Sequence, residues 1–212
     1  MFKSFFKINI KLMKQLPNFL TLLRIIIIPL LIIAFYIPGM FSNVITAFLF
    51  GVAAITDYFD GYFARSMKAQ SNFGKCLDPI ADKLLVIVAI VMLIKFNPFN
   101  PWILFPGLVI ICREVLVSGL REYLAEINIR VPVTNLAKYK TAVQMFGIGG
   151  LLLGDNGSAY VLYQWIGGYI EVDIKYLLIS VIGVLAKILF TSAAILTIIT
   201  GYSYFRASFK NM

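Results

Sequence analysis

Residues 43–95 read NVITAFLFGVAAITDYFDGYFARSMKAQSNFGKCLDPIADKLLVIVAIVMLIK. Two apolar runs, at about 43–64 and 76–95, flank a short polar connection, and each has the roughly 20 residues that a helix needs to cross a hydrocarbon layer. Asp57, Asp60, Asp78 and Asp82 fall at the ends of the runs nearest that connection. The stretch therefore predicts two membrane helices joined by a tight return, with acidic residues gathered at one membrane face. Comparable runs at about 18–37, 101–123, 137–154 and 176–200 extend the pattern. The expected fold is an all-α integral membrane protein with six transmembrane helices.

Composition points the same way. The chain has 212 residues, 60% apolar and 14% charged, too few charges for the surface of an ordinary soluble domain. After six spans only short segments remain, so a separate soluble catalytic domain does not fit and any chemistry belongs at the helix ends. Disorder, collagen-like repeats and a disulfide scaffold are excluded as well. Cys76 and Cys112 lie in predicted helices, and their spacing gives a disulfide no support.

Residues 1–16 place Lys3, Lys7, Lys11 and Lys14 on one narrow helical face opposite Phe2, Phe5, Phe6, Leu12, Met13 and Leu16. That pattern predicts an amphipathic helix lying at the membrane surface, its lysines on anionic headgroups. A signal peptide is the competing reading, opposed by the lack of a small-residue cleavage site and by Arg24. Six spans put both termini on one side. With the N-terminus inside, Arg65, Lys68, Lys75, Arg121, Arg130, Lys138, Lys140, Arg206 and Lys210 are inner and only Lys95 and Lys175 outer. The positive-inside rule then sets the orientation, with the acids facing the cytoplasm of a bacterial inner or plasma membrane. The segment 154–175 reads as a long outer loop with Tyr160, Tyr163, Trp165 and Tyr169 at the lipid boundary. One domain is expected: the surface helix at 1–16, a six-helix body at 17–205 and a cytoplasmic tail at 206–212.

The net charge of +9, with no histidine, suits anionic lipid or a phosphorylated substrate. The basic residues are scattered between apolar spans and form no continuous surface, so no nucleic-acid partner is expected. Asp57 and Asp60 are three apart and Asp78 and Asp82 four apart, so each pair shares a helix face. Four converging carboxylates would cost several kcal/mol each without compensation. Arg65, Lys68, Lys75 and Lys83 are too few in suitable geometry to neutralise them. A pair of divalent cations supplies the missing charge, and all-oxygen ligands select hard ions such as Mg²⁺ or Mn²⁺. Taken singly, any of these acids reads as a solvated helix-end charge; the four together reverse that reading.

The acids sit in Asp57-x-x-Asp60-Gly61-x-x-Ala64-Arg65, eight residues, then Gly74-x-x-x-Asp78-x-x-x-Asp82. This resembles the signature of the CDP-alcohol phosphotransferase family at all eight specified residues over 26 positions. The resemblance implies transfer of a phosphatidyl-type group from CDP-diacylglycerol to an alcohol with release of CMP, two metal ions assisting. It implies that Asp57, Asp60 and Asp78 are metal ligands and that Asp82 is both ligand and general base. Gly61 and Ala64 would leave room for the nucleotide, Arg65 would grip the pyrophosphate, and Gly74 would permit sharp re-entry into the third span. Ser71 matches a hydroxyl position near the nucleotide and is equally a polar loop residue. Pro17-Asn18-x-x-Thr21-x-x-Arg24 also resembles family members, with Asn18 and Thr21 beside the nucleotide, although Pro17 and Asn18 read as a helix start too. A homodimer is implied in the same way.

For the acceptor, Arg113 and Arg121 are eight apart on one face, and Lys138 and Lys140 open the next helix. Such a group suits a phosphate-bearing alcohol. The pattern is similar to the branch of the family that uses sn-glycerol 3-phosphate, with Cys112 and Ala137 departing from that branch's usual Ala and Gly. Positive-inside topology alone accounts for any two of the four cations, and Glu114 reads as a partner of Arg113 or of a neighbouring helix. An inositol phosphate acceptor is the rival within the family. A cation transporter is the rival outside it, although it would place the acids at the bilayer midplane between broken helices.

Overall fold

The computed structural model describes the backbone of residues 19–67, 72–127, 135–166 and 172–210, and side chains within 19–39, 41–57, 77–127, 136–154 and 177–206. Among the described residues the fold is entirely helical. The six helices are α1 (Phe19–Ala34), α2 (Met40–Met67), α3 (Asn72–Phe96), α4 (Pro101–Glu126), α5 (Asn135–Ile166) and α6 (Val172–Lys210). The amphipathic helix expected over 1–16 lies outside the described residues. Among the described residues two segments, Pro101–Glu126 and Leu177–Arg206, are long and apolar enough to cross a membrane, while Phe19–Ala34 and Phe41–Asp57 are shorter apolar helices.

Packing divides the chain into two compact units, Met1–Ala89 and Ile90–Met212. In the first, α1 buries Thr21, Arg24, Ile27, Ile28, Leu31 and Ala34, a stripe at three- and four-residue spacing. Thr46, Phe50 and Ala53 form the matching stripe of α2, and Ala81, Leu85 and Ala89 that of α3. The outward faces are also apolar: Ile33 is 61% and Phe48 67% exposed, whereas Arg24 is fully buried. Burying the charge while exposing aliphatic and aromatic side chains is the arrangement that suits a hydrocarbon solvent. The turn between α1 and α2 is closed locally. Gly39 takes φ +92°, a conformation that side chains oppose. The Ser42 hydroxyl donates to the Ala34 carbonyl at 2.8 Å, satisfying one of the acceptors left at the end of α1.

The second unit starts within α3. Asn97 donates through its amide to the Leu93 carbonyl at 3.0 Å. Asn100 caps α4 by accepting from the Trp102 backbone N–H at 3.1 Å, and Pro101 opens the helix where no amide proton is needed. Glycines let α5 and α6 approach closely. A Cβ on Gly147 would lie 2.8 Å from the Phe190 backbone nitrogen, and one on Gly150 would lie 2.8 Å from the Ala186 Cβ. Gly154 (φ 58°, ψ −174°) breaks α5 into two helical segments. The chain resumes a helix over 155–166, so much of the outer loop expected at 154–175 is helical. The third helix likewise starts earlier than expected, at Asn72, so Gly74 lies in its first turn and not in the connection.

Candidate metal and substrate site

In the first unit, α2 and α3 bring Asp57, Asp78 and Asp82 together, with one oxygen of each within 4.8 Å of the others. The four-residue spacing on α3 puts Asp78 and Asp82 on one face, as the sequence predicts. The cation among them comes from α1. Arg24 lies with Nη2 3.2 Å from Asp57 Oδ1 and Nη1 3.2 Å from Asp78 Oδ1, and Nη1 also donates to Asp82. Thr21, one turn earlier on the same face, donates its hydroxyl to Asp78 Oδ1 at 3.3 Å.

Three carboxylates against one guanidinium leave two negative charges unmatched among the described side chains. Oxygens around an octahedral hard cation lie about 3–4 Å from one another, given metal–oxygen distances of about 2.1 Å. The cluster therefore needs only a small inward adjustment, and its charge and all-oxygen donor set suit a divalent ion. Asp60 follows Asp57 by three residues in α2, its side chain outside the described set along with those of Gly61, Ala64, Arg65 and Gly74. Asn18 and Ser71 lie outside the described residues altogether.

The second unit holds a cluster of opposite sign. Glu114 accepts from Lys140 and lies 3.6 Å from Arg113 Nη1. Arg113 donates from Nε to the Thr197 carbonyl at 3.1 Å and from Nη2 to the Thr200 hydroxyl at 2.9 Å. Arg121 donates to the Tyr204 hydroxyl at 2.8 Å, with its guanidinium 5.3 Å from the centre of that ring. Three cations against Glu114 leave two positive charges, enough for a phosphate monoester dianion. Lys140 is buried and Lys138 exposed, because two helical residues are about 200° apart around the axis. The four cations expected at the acceptor site are thus three gathered in this cluster and one on another face.

Arg24 stands in the first apolar run, and nothing in the sequence identifies the aspartates as its partners. The contribution of α6 to the basic cluster emerges only in the folded chain. The available signal was the run Thr197-x-x-Thr200-x-x-x-Tyr204, a polar stripe along one face of an otherwise apolar helix.

The family model for CDP-alcohol phosphatidyltransferase matches residues 14–199, most of the chain. A protein of Rickettsia felis named CDP-diacylglycerol--glycerol-3-phosphate 3-phosphatidyltransferase is 46% identical over 197 residues, covering 93% of this chain and 97% of its own. The protein of the same name from Rickettsia typhi is 47% identical over 195 residues, covering 92% and 97%. Its namesake in Haemophilus influenzae is 43% identical over 140 residues, covering 65% and 75%. With the aspartate motif, its folded geometry and these matches in agreement, the chain belongs to the CDP-alcohol phosphatidyltransferase family.

Proposed function

We propose that this protein is a phosphatidylglycerophosphate synthase: it transfers the phosphatidyl group of CDP-diacylglycerol to sn-glycerol 3-phosphate and releases CMP. The carrying observation is the gathering of Asp57, Asp78 and Asp82 oxygens within 4.8 Å in a chain that matches this family over residues 14–199. The names of its relatives supply the acceptor.

Asp57, Asp60, Asp78 and Asp82 would hold two divalent cations, Mg²⁺ or Mn²⁺. Bound there, such ions offset charge on the diphosphate and ease departure of CMP. Asp82 takes the proton of the attacking hydroxyl as its oxygen bonds to the β-phosphorus and the bond from that phosphorus to the CMP oxygen breaks. Asn18, Thr21, Gly61, Ala64, Arg65, Ser71 and Gly74 form the CDP-lipid site, with Thr21 also steadying Asp78. Arg113, Arg121 and Lys140 receive the acceptor's phosphate, and exposed Lys138 adds attraction at the surface.

The body crosses the bilayer six times, with residues 1–16 along the inner surface, both termini and the site toward the cytoplasm, and two copies forming a homodimer. Two apolar helices of spanning length and the inner-side excess of Lys and Arg support this placement. Purified protein given CDP-diacylglycerol with either glycerol 3-phosphate or inositol phosphate tests the reading. Phosphatidylglycerophosphate forms with the first; lipid product with inositol phosphate alone overturns the assignment.

A further inference from the structure

The two arginines of the basic cluster are tied to α6 through different groups. Arg113 spends Nε on the Thr197 carbonyl and one Nη2 proton on the Thr200 hydroxyl. The Thr200 hydroxyl donates to the Leu196 carbonyl at 2.8 Å, which leaves its lone pairs turned to the guanidinium. Gly201 lies four residues after Thr197. A Cβ on Gly201 would lie 3.3 Å from Arg113 Cγ, so the glycine gives the arginine stem room beside α6 as Nε reaches the Thr197 carbonyl. Arg121 is held by both the hydroxyl and the ring face of Tyr204, which is itself buried. Arg113 thus commits its Nε–Nη2 edge to α6, leaving Nη1, which faces Glu114 at 3.6 Å, and Arg121 commits one Nη2 proton; an anion would use the other N–H groups beside Glu114.

The geometry points to Thr200 and Tyr204 as positioning residues for the acceptor's phosphate, holding Arg113 and Arg121 in one orientation before the substrate arrives. This rests on the assignment of the basic cluster as the acceptor site. An arginine held in place binds a dianion more tightly than a free one, because the side-chain ordering is already done. The loss on removing either tether therefore falls on acceptor affinity and leaves the CDP-lipid untouched.

The test uses full-length protein in detergent and the variants Tyr204→Phe, which keeps the ring, and Thr200→Val, which keeps the shape. Each raises KM for glycerol 3-phosphate about five-fold and weakens competitive inhibition by inorganic phosphate equally, as expected for one lost hydrogen bond of ordinary strength. KM for CDP-diacylglycerol stays within about two-fold and the double variant multiplies the single effects, as expected for separate tethers. Arg121→Gln and Arg113→Gln are the comparators. If they raise acceptor KM while Tyr204→Phe and Thr200→Val do not, the positioning role is overturned and the acceptor assignment survives. If all four leave acceptor KM unchanged, the acceptor assignment itself fails. Equal loss toward both substrates with a lowered unfolding temperature makes α6 a packing element only, which also overturns the proposal.

Discussion

Among the described residues Arg24 has the most unusual environment: a fully buried guanidinium facing three carboxylates. Removing one partner of a buried ionic group generally costs about 3–5 kcal/mol, because the remaining charges are left uncompensated. Arg24→Gln should therefore lower the unfolding temperature in chelator. Mg²⁺ should raise it by more in the variant than in the parent, since a cation that binds only the folded state restores the lost charge balance. An equal Mg²⁺-induced rise in both proteins would contradict this electrostatic account. For Asp82→Asn, CMP release should fall by about 10²-fold or more, the usual worth of a general base, with CDP-diacylglycerol still bound in an equilibrium binding assay. The pairing of Asp78 with Asp82 was legible from sequence because it is local, four residues apart on one helix, and the apolar runs brought Asp57 to the same connection. Arg24 was not, because its partners lie 33 to 58 residues away along the chain and helical periodicity reports only which face a residue occupies.

At the scale of helices, element positions follow from apolar run length, and the structure moves the expected ends by only a few residues over α1 to α4. The exceptions are α6, which runs to Lys210 although its apolar run ends at about 200, and α5. Gly154-Asp155-Asn156-Gly157-Ser158 carries four residue types that favour turns, and reading it as the end of a span is the natural inference. Gly154 does break the helix, with its positive φ, yet 155–166 form a second helical segment. Turn propensity is a local preference that its surroundings override here. Close helix packing gives a sharp comparison. Gly147→Ala places a methyl 2.8 Å from the Phe190 backbone nitrogen, a position that cannot yield like a side-chain tip. It should destabilise the protein by about 1–3 kcal/mol. Gly149→Ala meets nothing within 4 Å and should be neutral or stabilising by up to about 1 kcal/mol. Thermal unfolding of both variants in one detergent checks the pair; equal effects would mean that α5 and α6 do not pack as described.

Across the whole molecule, two charge clusters of opposite sign divide the work that the proposed reaction demands. One unit holds a cluster short of two positive charges, and the other a cluster with two to spare. Neither balance could be read from sequence, since it depends on which cations reach which acids: Arg24 joins the aspartates, and Glu114 offsets one cation of the basic cluster. The most direct test follows from the first imbalance. Purified protein is stripped by exhaustive chelation and supplied with CDP-diacylglycerol and labelled glycerol 3-phosphate. Label should stay out of lipid until Mg²⁺ or Mn²⁺ is added back and then appear in phosphatidylglycerophosphate, with one CMP released per lipid formed. Full activity in the stripped protein would contradict the account.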